Sequence, residues 1–264
     1  MSPDRRMVAV LAVAVLAGFA GLARAQPQSG IVRPTTEPSS PNAQLGAELY
    51  AGNCASCHGI GGDGIPVPRR GAGGIAGAGP ALRDVGAEAA DFYLRTGYMP
   101  LSSIHDEPGR DRVLLTDTEI RSLVSYVASL GTGPPVPVVR PQAGSIADGL
   151  HEFAEHCAGC HSIVGQGGFV TGARVPALQN ATATQIAEAI RIGPYLMPSF
   201  SRRQISDAEL NSIVAYVLST RHPDNRGGWG IGNVGPVPEG VITWLVAAVA
   251  IVLFCMVLGA RLRA

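Results

Sequence analysis

Two pentapeptides constrain this chain more than any other feature: Cys54-Ala55-Ser56-Cys57-His58 and Cys157-Ala158-Gly159-Cys160-His161. In each, two thiols three residues apart share one helical turn, and an imidazole follows directly. Both thiols can add to the two vinyl groups of one porphyrin while the histidine supplies an axial ligand to its iron. This is the attachment pattern of c-type haem. Other uses of paired cysteines fit poorly. A zinc ribbon separates its two pairs by about 15–20 residues, whereas Cys57 and Cys157 are 100 apart with a proline-rich stretch between them. A thioredoxin-like redox pair opens a helix after a strand; both pairs here close a helix with apolar periodicity.

The surroundings of the pentapeptides are duplicated too. A helix from Ala43, with Leu45, Leu49 and Tyr50 on its apolar face, runs into the first. A helix from Ile146, with Leu150 and Phe153 inside, runs into the second. Glycine-containing loops lead to Pro80-Ala81-Leu82 and Pro176-Ala177-Leu178. Short helices follow, from Ala87 to Thr96 and from Thr184 to Gly193, and then Met99-Pro100 and Met197-Pro198. Capping boxes at Thr116–Glu119 and Ser206–Glu209 open the last helix of each repeat. These helices carry Ile120, Leu123, Val124 and Val127 in one copy, and Leu210, Ile213, Val214 and Val217 in the other. The offsets between matching features are 103, 96, 98 and 90 residues. Order is kept while spacing drifts, as in a tandem duplication whose loops have changed length.

Met99 and Met197 are the only methionines outside the N-terminal leader and the C-terminal apolar run. They lie 41 and 36 residues beyond His58 and His161. A lone methionine is ordinarily a filler of core gaps. Two placed alike, each before a proline and between two helices, point to the second axial ligand of a His/Met haem. The Pro80 and Pro176 carbonyls stand where each could accept the Nδ1–H of the preceding histidine and fix its ring, although plain loop prolines are the alternative. His105, His151, His156 and His222 lack counterparts in the other repeat and read as surface or core histidines, with bis-histidine ligation as the alternative. The fifth cysteine, Cys255, reads as a small apolar side chain, so no soluble thiol remains for a disulfide framework.

Twenty arginines balance 20 acidic residues, and no basic patch argues for nucleic acid. With aromatics at 5%, a porphyrin in each half is expected to fill the cores. Residues 1–25 have the anatomy of an export signal: Arg5 and Arg6, an apolar stretch from Met7 to Leu22, and Ala23-Arg24-Ala25. A retained membrane helix is the rival reading. Residues 26–42 form an extended or disordered lead-in, 43–131 the first repeat, 132–144 a stiff proline-rich linker, 145–222 the second repeat and 223–240 a Gly/Pro-rich connector. Residues 241–260 carry no charge and span about 30 Å as a helix, one hydrocarbon thickness. Arg261 and Arg263 in the 261–264 tail place the C-terminus in the cytoplasm and residues 26–240 outside it, with Trp244 at the outer interface. The expected location is the cell membrane, crossed once.

Each repeat resembles a class I cytochrome c domain, which implies a mainly α fold of two tandem class I cytochrome c domains plus one C-terminal transmembrane helix. Residues 26–264 resemble the membrane-anchored di-haem cytochrome c subunits of actinobacterial cytochrome bcc complexes, the menaquinol:cytochrome c reductases. Thr96-Gly97-Tyr98-Met99-Pro100-Leu101, Ile192 to Pro198, and above all Gly227 to Gly240 carry the likeness. The lengthened glycine loop 60–79 departs from it. The resemblance implies two covalently attached haem c groups, on Cys54, Cys57, His58 and Met99, and on Cys157, Cys160, His161 and Met197. It further implies a cytochrome b subunit and a Rieske iron–sulfur protein as partners, with electrons passing on to a terminal cytochrome oxidase. The first domain is expected to face the Rieske protein and the second the oxidase. The chain would then serve a proton-translocating oxidoreductase without catalysing a reaction alone. A carrier for another dehydrogenase or oxidase is the alternative. A di-haem peroxidase is the further alternative; it needs one haem able to open an axial position, whereas His/Met ligation at both irons leaves none vacant.

Overall fold

The computed structural model describes residues 30–65, 79–101, 109–221 and 236–262. Residues 1–25, expected to be an export signal, residues 66–78 of the glycine loop, His105, His222, residues 223–235 of the connector and Arg263 lie outside the described residues.

The chain divides into two compact units. One comprises the chain up to Val139 together with Thr182–Ile205; the other comprises Arg140–Ala181 and the chain from Ser206 onward. The sequence repeats and these units therefore part company over Thr182–Ile205.

In the first unit, helix α1 (Ala43–Asn53) starts where the Asn42 side chain accepts from the Leu45 N–H at 2.8 Å. It buries Leu45, Leu49 and Tyr50. Helix α2 (Ala55–His58) is the single turn that carries the pentapeptide. Helix α3 is Gly86–Arg95 and helix α4 Asp117–Ala128, the latter opened by the Thr116–Glu119 capping box. Ile120, Leu123 and Val127 of α4 join Leu45, Leu49, Tyr50, Ala90, Leu94 and Leu115 in the core, while Val124 is only partly buried.

Helices α1 and α4 cross at Gly46. A Cβ there would lie 2.1 Å from the Ser122 carbonyl oxygen, closer than any side-chain atom can stand. The lead-in is extended and tied down rather than disordered over its described part. Asn53 bonds the Val32 backbone in both directions, at 2.7 and 2.8 Å, and the Arg33 guanidinium grips the fully buried Glu119 carboxylate at 2.6 and 3.2 Å. The linker is seated at its start, where Pro134 O accepts from the Glu88 N–H of α3 at 3.1 Å.

The second unit repeats the crossing. After a 3₁₀ turn at Pro141–Ala143 come helix α5 (Ile146–His156), capped by Ser145, and the single turn α6 (Ala158–His161). Helix α8 (Asp207–Ser219) opens with the Ser206–Glu209 capping box and buries Leu210, Ile213, Val214 and Val217. It meets α5 at Gly149, where a Cβ would lie 1.9 Å from the Ser212 carbonyl oxygen. Leu150, expected inside, is exposed: Gly149 and Phe153 take the contact with α8, and the next residue is turned about 100° away.

A two-stranded antiparallel hairpin, β1 (Gly168–Val170) and β2 (Ala173–Val175), occupies part of what reads in the sequence as a loop. Three-residue strands are too short to show a period of two, and left-handed Gly172 turns between them. Helix α7 (Ala183–Ile192) belongs to the first unit and is opened by a third capping box, Thr182–Gln185. Helix α9 (Pro236–Leu262) is 27 residues long, and over Glu239–Leu262 it is apolar enough to cross a membrane.

Candidate haem-binding sites

In the first unit α1 ends on Cys54, whose N–H bonds Tyr50 O at 2.8 Å. Cys54 O then accepts from the N–H groups of both Cys57 and His58, at 3.1 and 2.9 Å. This tight turn puts two thiols and an imidazole on one coil of backbone. His58 Nδ1 lies 2.7 Å from Pro80 O. A carbonyl only accepts, so Nδ1 carries the hydrogen and Nε2 is left with its lone pair for a metal. Gly79 makes room for this bond, since a Cβ there would stand 2.6 Å from His58 Nδ1. Met99 and Cys54 both pack against the buried cluster of α1 and α4, which brings the methionine to the core that the pentapeptide borders.

The second unit builds the same turn. Cys157 N–H bonds Phe153 O at 2.9 Å, and Cys157 O accepts from Cys160 and His161 at 3.1 and 2.9 Å. His161 Nδ1 lies 3.2 Å from Pro176 O. Burial pushes the His161 pKa down, against the opposing pull of the Pro176 carbonyl, and so favours the neutral ring a metal requires. Met197 lies on Thr182–Ile205, which belongs to the first compact unit, whereas His161 belongs to the second; their pairing is an expectation from the sequence repeat alone.

A tyrosine steadies the chain just beyond each pentapeptide. Tyr50 OH donates to Gly59 O at 2.8 Å, and Tyr216 OH donates to Ile163 O at 2.6 Å. Neither bond was legible in the sequence. Gly46 and Gly149 were also missed, although each stands eight residues before the first cysteine of its pentapeptide, in mid-helix, where glycine is unfavourable without a packing reason.

The donor set fits haem and not a bare ion. Burial, reinforced by the neighbouring cysteine, pushes the Cys54 and Cys157 thiols up to about 11. Raised pKa values keep these thiols protonated, the form that adds across a porphyrin vinyl group as a thioether. Among the described residues no group of three or more His, Cys, Asp or Glu side chains is placed to hold a metal ion.

Known proteins share this plan. The family described as cytochrome c matches residues 43–131, and that described as cytochrome C oxidase, cbb3-type, subunit III matches residues 144–217. The cytochrome bc1 complex cytochrome c subunit of Mycobacterium tuberculosis is 32% identical over 263 residues, covering 96% of this chain and 89% of the relative. The chain belongs to the family of cytochrome bc1 complex cytochrome c subunits. The Corynebacterium diphtheriae subunit of that name is 32% identical over 238 residues, covering 83% of this chain and 80% of the relative. A cbb3-type cytochrome c oxidase subunit CcoP from an Azospirillum species is 29% identical over 196 residues, covering 65% of this chain and 60% of the relative. As a bc1-complex cytochrome c subunit the chain is an electron-transfer cytochrome of a respiratory oxidoreductase complex. Its two cytochrome c domains imply covalently bound haem c, and α9 anchors it in the membrane.

Proposed function

We propose that this chain carries electrons from a Rieske iron–sulfur partner toward a terminal cytochrome oxidase, within a membrane complex that also contains cytochrome b. Two haem c groups are held, one by Cys54, Cys57, His58 and Met99 and one by Cys157, Cys160, His161 and Met197. When bound, each haem supplies a one-electron couple whose potential methionine ligation raises.

The protein's residues do the rest. Paired cysteines tether the ring to one helical turn. The Pro80 and Pro176 carbonyls orient the histidines through Nδ1 and leave Nε2 free. Met99 and Met197 would complete the hold on each iron and would leave oxygen or peroxide no place on it. Helix α9 keeps the carrier at the membrane, with both haem domains on the extracytoplasmic face and the C-terminus in the cytoplasm, as Arg261 suggests. The observation that carries this reading is the matched pair of histidine–proline contacts, at 2.7 and 3.2 Å, in repeats that each bear one methionine after the corresponding helix.

The test is purification of the full chain from detergent-solubilised membranes, with haem quantified and co-purifying subunits identified. Two haems per chain together with cytochrome b and the Rieske protein are expected; recovery without cytochrome b would sink the assignment. The match of residues 144–217 to an oxidase subunit favours one second reading, direct attachment to an oxidase, and recovery with oxidase subunits alone would select it.

A further inference from the structure

Helix α3, which leads to Met99, packs against α7, which leads to Met197, inside the first compact unit. The two run antiparallel. Gln185 at the start of α7 donates to Arg95 O at the end of α3, at 3.3 Å; Glu188 faces Asp91 at mid-helix; and Arg191 near the end of α7 faces Glu88 in the first turn of α3. Three carboxyl groups thus meet at one helix contact. Glu188 is fully buried, with Glu88 and Asp91 buried beside it.

The cations present do not satisfy Glu188. Arg95 lowers the Glu188 pKa through its charge, but its Nε bonds both Asp91 oxygens at 2.8 and 2.9 Å and its Nη1 reaches Asp117 at 2.7 Å. Arg191 and Arg202 face Glu88 instead. Among the described residues, no N–H or hydroxyl donor bonds either Glu188 oxygen. An ionised Glu188 would be a bare buried charge beside a second carboxylate, an arrangement strongly disfavoured by lost solvation and like-charge repulsion. A protonated Glu188 can donate to Asp91, which becomes the acceptor the site otherwise lacks. Burial first, and the Asp91 charge second, push the Glu188 pKa up to about 9.

We propose that Glu188, Asp91 and Glu88 form a proton-operated latch: a proton held by Glu188 and shared with Asp91 keeps α7 seated on α3, and its loss drives the two helices apart. The cluster is not offered as a cation site. Arg95, Arg191 and Arg202 already surround it, and a proton is the cation that two facing carboxyls can share. This inference goes beyond the electron-carrier reading and does not depend on it.

The sign follows from linkage. Seated, Glu188 binds its proton up to about pH 9; released into water, it would ionise above about pH 4.3. Unseating therefore releases one proton across that window, and the unseating equilibrium rises about tenfold per pH unit.

The test is hydrogen exchange of the α3 and α7 amides in the full-length, haem-loaded protein, corrected for intrinsic exchange, from mildly acid to mildly alkaline pH. The wild type should lose protection at α7 by about tenfold per unit. Glu188→Gln, whose amide can donate to Asp91 without titrating, should stay protected and flat. A flat wild-type profile, or a slope that survives in Glu188→Gln, overturns the latch. Should that variant fail to fold, infrared spectroscopy of the wild type decides. A carboxylic-acid C=O band present at neutral pH and shifted by ¹³C-glutamate labelling is expected; its absence overturns the proposal.

Discussion

His58 lies 2.7 Å from Pro80 O and is half-buried, whereas His161 lies 3.2 Å from Pro176 O with 8% of its surface exposed. The same pentapeptide, proline and helix crossing have thus been placed in two different settings. In the first, a short hydrogen bond makes the imidazole a stronger electron donor. In the second, the bond is longer, and burial outweighs its opposing pull and favours the neutral ring. Duplication of a motif need not give two equal redox centres, because hydrogen bonding and solvation of the ligand set the potential as much as ligand identity does.

The largest test of equivalence is steric. Gly46→Ala and Gly149→Ala place a Cβ 2.1 and 1.9 Å from main-chain oxygens, so each should cost about 3 kcal/mol or more and release its own domain first in thermal unfolding. Gly159→Ala, with nothing within 4 Å of its Cβ, should change stability by less than about 0.5 kcal/mol. If Gly149→Ala were as mild as Gly159→Ala, the shared crossing would be refuted.

An asymmetric effect comes next. Arg33→Ala leaves buried Glu119 without its cation and should destabilise the first repeat by about 2 kcal/mol, discounted for the part-exposed arginine. Burial alone would raise the Glu119 pKa, but the Arg33 and Thr116 hydrogen bonds outweigh it and hold the carboxyl below its ordinary value. Stability from this pair is therefore complete above about pH 5 and is lost as pH falls through the depressed native value. Thermal unfolding over an acid series should show that loss in the wild type and a smaller one in Arg33→Ala. Glu209 in the second repeat bonds Ser206 in its own capping box and faces His156 rather than an arginine, so its domain should respond less.

The redox difference is smaller. Pro80→Ala keeps the carbonyl but loosens the backbone that aims it, and weakening that bond should raise the first haem's midpoint by about 20–60 mV, one hydrogen bond's worth in a one-electron couple. Pro176→Ala should shift the second haem less, because its contact is already long. Potentiometric titration of both haems would read this, and equal shifts would contradict the asymmetry. Of similar size, Tyr50→Phe and Tyr216→Phe each delete one hydroxyl bond to the main chain and should cost about 1 kcal/mol apiece in chemical denaturation.

Much of this was legible before any coordinates. The helices, both capping boxes at Thr116 and Ser206, the Pro80 and Pro176 contacts and the apolar anchor all rest on patterns spanning a few residues. Leu150 was misjudged because an apolar side chain beside a contact glycine looks like core in a one-dimensional pattern. The Arg33–Glu119 pair, 86 residues apart, has no local signature at all. The same holds for Gln185 and Arg95, 90 residues apart, and for the three carboxyls between their helices.

The amino-acid sequence by itself determined the cofactor chemistry, because two thiols and an imidazole on one turn are positioned by helical geometry alone. It also determined the repeat and the anchor, since order and hydropathy survive loop drift. Only the tertiary structure decided which glycines carry the helix crossings, how deeply each histidine is buried, and that the helices preceding Met99 and Met197 pack together around a shared acid. Those outcomes depend on contacts between residues far apart in the chain, and local propensity says nothing about which distant partner a side chain will meet.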